Sequence, residues 1–277
     1  MGDCLANAVE SDRRGAPEIP PPGREDERVP PAELILPSAG LDPIPWDTAL
    51  AAILGYARGR RPLHFRSPSH PEGRWVHVPA FGYERFDVRP RSAAPLGEAD
   101  ILPAEGLHGR LDPAGWAALR TTLEDVRPLA DAAIEVADDR PLGDLPGDEF
   151  SVLAEPDTVG AALREIRGYP QTPYVTAALH HRRPQLFPLL VRSTLWALLP
   201  HVREGDSGVE AVIHRELCAR ADAFAGLEAA VAARLGMRTT PLRLHDVLLW
   251  LTAGLRLAHA VRLGLATDEW QAAPAGR

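Results

Sequence analysis

The sequence predicts a mainly α fold, a helix–hairpin–helix-like helical bundle with a small β-hairpin in the N-terminal half. Three observations predict it. Apolar residues recur at helical spacing through most of the chain beyond residue 45, whereas alternating, strand-like stretches are few and short. Proline and capping residues punctuate the periodic stretches at helix starts and stops. In the second half, two short periodic stretches flank the tight connection Gly168-Tyr169-Pro170-Gln171-Thr172, which is a helix–hairpin–helix outline.

Residues 1–45 are rich in Pro, Gly and charge, including Pro20-Pro21-Pro22 and Pro30-Pro31, and read as a disordered tail that buries too little apolar area to offset ordering. A first region, residues 46–138, opens with a helix whose stripe is Trp46, Ala49, Leu50, Ile53, Leu54 and Ala57. Arg74–Val78 and Arg85–Val88 read as the strands of the small hairpin. Asp112-Pro113 caps and opens a helix with Trp116, Leu119, Leu123 and Val126 inward, and a further helix starts at Pro128. The Gly/Pro/Asp stretch 138–149 marks a boundary.

The second region, residues 150–265, is nearly all helix. Asp157 caps a helix carrying Val159, Leu163 and Ile166, which Gly168 ends in a left-handed cap. Thr172-Pro173 opens the next, which Pro184 stops. Pro188 opens a third with Leu189, Leu190, Leu195, Trp196 and Leu199, and Ser207 with Glu210 forms a capping box for a fourth. Leu227, Val231 and Leu235 line a helix ending at Gly236, and Thr240-Pro241 opens the last long one. Residues 266–277 read as a tail that includes Trp270. Trp75, Trp116, Trp196 and Trp250 sit on apolar stripes and read as core.

Composition narrows the function classes. The hydrophobic fraction is 45% and the net charge is −8, which disfavours unspecific binding along a polyanion by the molecule as a whole but leaves room for a local basic patch. The apolar run from Leu242 to Leu265 is interrupted by Arg243, His245, Asp246, Arg256, His259 and Arg262, so it reads as a buried helix and no membrane partner is expected. Cys4 and Cys218 make no disulfide framework, and with no signal peptide a cytoplasmic location is expected. Arginine supplies every non-histidine cation, a usage typical of high-GC actinobacterial genomes. No Cys/His cluster, Walker loop, dinucleotide-binding glycine pattern or nucleophile elbow is present, so neither cofactor nor metal is expected.

The run Tyr174-Val175-Thr176-Ala177-Ala178-Leu179-His180-His181-Arg182-Arg183-Pro184, followed by Leu186-Phe187-Pro188, resembles an actinobacterial family of unknown function, DUF6308. Leu96–Leu102 and Leu242–Trp250 fit the same family. The core segment resembles, more distantly, the helix–hairpin–helix DNA glycosylases, in which the hairpin grips a phosphate and an aspartate follows it. That resemblance implies a phosphate grip here, which Pro170 and Pro173 weaken by removing backbone donors. It also implies an aspartate three residues after Pro188, where this chain has Val191. Glycosylase chemistry is therefore not expected, since general acid–base help alone is worth ~10²–10⁴ in rate.

The candidate binding residues are His180, His181, Arg182, Arg183 and Arg192, with the hydroxyls of Thr172 and Thr176. They suggest a basic patch for nucleic acid or a phosphate-bearing small molecule, against the plainer reading that Arg182 and Arg183 complement a helix C-terminus. Two functions stay open. One is a non-glycosylase descendant of a helix–hairpin–helix scaffold that binds nucleic acid or a nucleotide-like anion. The other is a small-molecule enzyme or binding protein of actinobacterial specialised metabolism. His245 and Asp246, adjacent on a helix, point in different directions and are not read as a catalytic pair.

Overall fold

A computed structural model describes residues 33–152 and 154–272. Helices dominate these residues, with two antiparallel strand pairs. Most of the expected tail, residues 1–32, lies outside the described residues, but its last part is built into the fold. Strands β1 (Glu33–Leu34) and β2 (Ile44–Pro45) pair antiparallel, and Leu34, Leu36 and Ile44 are buried.

Helix α1 (Trp46–Arg58) follows with the expected buried stripe. The hairpin contains the strand expected at Arg74–Val78, but that strand's partner precedes it in the chain instead of following it at 85–88. Its strands are β3 (Arg60–Ser67) and β4 (His70–Pro79), in register His64 opposite Trp75. Residues 83–85 form a 3-10 turn instead of a strand.

Helices α2 (Ile101–His108) and α3 (Pro113–Ala137) complete the first half. Asp112 caps α3, its carboxylate accepting the Gly115 N–H at 2.7 Å. A new helix does not begin at Pro128, because α3 runs through it. An interior proline costs about 3 kcal/mol, yet Leu119, Leu123, Val126, Ala130, Ala133 and Ala137 form one buried stripe on both sides of it. The Pro141–Phe150 stretch contains two 3-10 turns, and its Leu142, Leu145 and Phe150 join the same hydrophobic core as residues before and after it.

Helices α4 (Val159–Ile166) and α5 (Thr172–Arg182) are the two helices around the expected connection. The cap of α4 is Thr158, whose hydroxyl accepts the Ala161 N–H. Asp157 takes the left-handed conformation (φ 67°), and Gly168 does not. After α5 the chain is irregular to Val191, so α6 (Arg192–Leu198) starts four residues later than Pro188. It packs on α9 rather than on α4 and α5.

Helices α7 (Val209–Ala219), α8 (Ala221–Leu235) and α9 (Pro241–Ala253) follow. The N-cap of α7 is Gly208, with the Ser207 hydroxyl donating to Glu210 at 2.8 Å. The last long helix is broken. Leu255 turns left-handed (φ 55°), and α10 (Leu257–Leu265) leaves α9 at 117°. No single helix among the described residues is long and apolar enough to cross a membrane.

Helix α10 lies across α1 at very short range. A Cβ on Gly55 would stand 1.8 Å from the Ala260 carbonyl oxygen, and one on Gly264 would stand 1.8 Å from that of Ala51. Helix α11 (Asp268–Gln271), capped by Thr267, replaces the expected start of the C-terminal tail, and Trp270 packs against the core. Two further tryptophans depart from expectation: Trp75 is 70% exposed and Trp196 66% exposed.

Candidate functional site

The site is organised by α9. Its N-terminus is fixed by Thr240, which accepts the Arg243 N–H at 3.2 Å, and by Pro241 in the first turn. From Leu242 to Leu249 every residue is buried, including Arg243, His245 and Asp246. Charges at such positions must be paired or neutralised.

Arg243 is held by Asp87 through Nε at 2.6 Å and Nη2 at 3.0 Å, and it also donates to the Tyr56 hydroxyl oxygen at 2.6 Å. Tyr56 in turn donates to Asp87 at 2.7 Å. The guanidinium lies over the rings of Tyr56 and Phe86. Burial raises the Tyr56 phenol well above its usual range, with Arg243 opposing and Asp87 reinforcing the shift.

Two residues further along α9, on its opposite side, His245 donates to Glu216 at 2.8 Å, and Glu216 also accepts the Ser38 N–H at 2.8 Å and the Ser38 hydroxyl at 2.7 Å. Burial alone would depress His245, but Asp246 and Glu216 more than reverse this and raise it to about 9. The two carboxylates thus favour the charged form of His245. Asp246 accepts the Leu189 N–H at 3.0 Å and lies 3.9 Å from the other nitrogen of His245. Burial raises its carboxyl above the usual value, against the pull of His245 and Arg243.

This network forms one wall of a cavity of about 640 Å³. Tyr56, Arg243 and Asp246 lie at its polar side, and Phe81, Leu107 and Trp250 supply apolar surface. His108 also lines it. Burial lowers that imidazole to about 4, so it is neutral near pH 7. Helix α6 contributes Arg192 and Trp196, four residues apart and therefore on one face. Arg85 and Arg256 complete the rim, the latter over the Trp250 ring at 4.9 Å. Arg85, Arg192 and Arg256 have no carboxylate partner among the described residues, and Asp246 is the one carboxylate in the lining. A larger, open groove beside α10 is lined mainly by apolar residues such as Leu257, Val261 and Leu265, and few polar groups converge there.

The residues singled out from the sequence do not gather on one face. Thr172 spends its hydroxyl on the carbonyls of Ile166 and Tyr169, and Thr176 donates to the Thr172 carbonyl and accepts the Leu190 N–H. His180 and His181 are buried and donate to the carbonyls of Phe187 and Arg89. Burial drives both below the usual histidine value, His180 furthest. Arg182 grips Asp100 at 2.7 and 2.8 Å, and Arg182 and Arg183 together line a depression with Asp131 and Glu135 that is separate from the cavity.

Only Arg192 of the seven lines the cavity. Val191, which stands in place of the expected aspartate, lines it as well, and the carboxylate there comes from Asp246. The signal for Arg243, His245 and Asp246 was available: three charged or titratable residues inside an otherwise apolar helix must face partners.

The fold and site define a mainly helical protein with a cation-rimmed cavity over a buried ionic core. The chain belongs to the family of unknown function DUF6308, whose model matches residues 72–253, about two thirds of its length. The matched span carries Asp87, His108, Arg192, Arg243 and Asp246, and it leaves α1 and α10 outside. No curated protein and no solved structure matches the chain.

Proposed function

We propose that the cavity binds a small anion bearing a flat ring, of the nucleotide-like or aromatic-acid class. The observation that carries this reading is the set of three arginines without carboxylate partners, Arg85, Arg192 and Arg256, around one cavity in a chain of net charge −8. Cations concentrated in a cleft of an otherwise acidic molecule focus the field on an anionic ligand. Trp196 offers an open face for a ring, Trp250 and Phe81 add apolar wall, and a cavity of about 640 Å³ is within the size range of small-molecule sites.

In this reading α4 and α5 are a helix–hairpin–helix-like scaffold element rather than a phosphate grip, because the hydroxyls of Thr172 and Thr176 are already engaged. The ligand is held from α6 and α9 instead.

Calorimetric titration at low salt with nucleoside monophosphates and aromatic carboxylates, each beside its uncharged counterpart, tests the proposal. Charged ligands should bind and uncharged ones should bind at least tenfold more weakly. Arg192→Ala with Arg256→Ala should weaken binding by a similar factor and reduce its salt dependence. If no anion binds at low salt, or binding survives replacement of all three arginines, the proposal fails.

A further inference from the structure

The β3–β4 hairpin is unusual for what it leaves uncovered. Every residue of β3 except Ser67 is exposed, as is most of β4, and no helix packs extensively against either strand among the described residues. An isolated two-stranded ribbon is marginally stable in water, and this one carries apolar and aromatic side chains on both faces. Opposed residues share a face, so Leu63 with Val76 and Phe65 with Arg74 lie on one side, and His64 with Trp75 and Pro62 with His77 lie on the other. Trp75 is 70% exposed, Phe65 45%, and the His64 ring lies 5.1 Å from that of Trp75.

The ribbon's charge has one sign. Arg60, Arg61, Arg66 and Arg74 stand against the single carboxylate of Glu72. Arg60 is engaged with Glu84 at 3.1 Å, and Arg61, Arg66 and Arg74 have no carboxylate partner among the described residues. Two such ribbons placed edge to edge would set arginines against arginines, so the surface is ill suited to a second copy of the chain. Cations interleaved with open aromatic faces suit a strand of phosphates that carries unpaired bases. On the face shared by Arg61, Leu63, Phe65, Arg74 and Val76, the phosphates meet the two arginines and a base stacks on Phe65 without regard to sequence.

We infer that the β3–β4 ribbon binds single-stranded nucleic acid on the face that carries Arg61, Phe65 and Arg74, with Phe65 as the stacking platform and the two arginines neutralising phosphates. This surface is separate from the cavity. The ribbon's base joins the cavity wall only through Ala80–Gly82, which directly follow β4.

Fluorescence anisotropy with labelled 20-nucleotide DNA and RNA single strands and a 20-base-pair duplex, at two salt concentrations, tests the inference. Wild-type protein should bind the single strands more tightly than the duplex. Phe65→Ala, on the same face as Arg61 and Arg74, should weaken binding about tenfold with little change in salt dependence, which is the loss of one stacked base. Arg61→Ala with Arg74→Ala should lower the slope of log affinity on log salt by about 0.7 for each phosphate left unneutralised. All these residues are exposed, so melting temperatures should barely change, and Arg192→Ala should leave strand binding intact.

Four results would overturn the inference. They are no binding at low salt, binding insensitive to the ribbon variants, tighter binding of the duplex, and self-association by light scattering that the ribbon variants abolish.

Discussion

Asp87 and Arg243, 156 residues apart in the chain, clasp each other through two hydrogen bonds with Tyr56 closing the third side. Removing one partner of a buried pair strands the other's charge, at a cost of ~3–5 kcal/mol. Asp87→Ala should therefore lower stability by about that amount in urea unfolding. Asp87→Leu with Arg243→Met should recover most of the loss, because no isolated charge remains. A double variant as unstable as Asp87→Ala would mean that the packing of Arg243 on Tyr56 and Phe86 dominates instead.

Arg182 and Arg183 should separate sharply. The sequence treats them as a matched pair of helix-end cations, worth ~0.3–1 kcal/mol each. In the fold Arg182 makes a two-point contact with Asp100, which is 1% exposed, while Arg183 makes no such contact. Arg182→Ala should cost ~3 kcal/mol by stranding a buried carboxylate, and Arg183→Ala less than ~1 kcal/mol. Chemical denaturation of the two single variants checks the ordering.

Stability should peak near pH 6.5, the ordinary histidine value. His245 is raised to about 9, so its contribution is complete below about pH 6.5 and is lost as pH climbs through 9. His108 is lowered to about 4. Between about pH 6.5 and 4 the unfolded chain takes up a proton there that the folded chain refuses, so acidification destabilises. His180, His181 and His214 are lowered too and add to the acid limb. Asp246, raised, acts in the opposite sense. Melting temperature measured from pH 4.5 to 9.5 should give a dome, and His108→Asn should flatten its acid side. A curve rising steadily to pH 9 would contradict the placement of His245 between Glu216 and Asp246.

Gly55→Ala should destabilise by ~1–3 kcal/mol or more through overpacking, since its methyl meets the Ala260 carbonyl at 1.8 Å. Gly147→Ala, with nothing near the new methyl, should stay within ~0.5 kcal/mol. Thermal denaturation of the two variants measures the contrast.

Helix starts marked by a cap and a first-turn proline were legible: Asp112-Pro113 opens α3 and Thr240-Pro241 opens α9, as local chemistry dictates. Boundaries set by packing were not. Pro128 reads as a helix start because local propensity says so, and only the shared buried stripe overrides it. The strand at Arg74–Val78 was legible and lies inside β4, but its partner β3 was not, because β3 buries neither face and shows no sustained alternation of apolar and polar residues. The cavity was the least legible feature. Arg192 entered through its nearness to the α5 arginines, whereas Trp196 reads as core from its spacing and lies on the cavity wall. The charges inside α9 were visible in the sequence, but their partners and neighbours Asp87 and His108 come from distant parts of the chain, and pairing across such distances leaves no local pattern.

The close crossing of α1 and α10 has a consequence for how the molecule is made. The two helices meet through Gly55 and Gly264, about two hundred residues apart, so their meeting closes a very long loop. Emerging from the ribosome, α1 must keep its buried stripe uncovered until nearly all the described chain has followed. In that interval it depends on transient cover, from chaperones or from neighbouring nascent segments. Released chains truncated before residue 257 should therefore be readily cleaved by protease within α1, and chains that include residues 257–265 should be resistant.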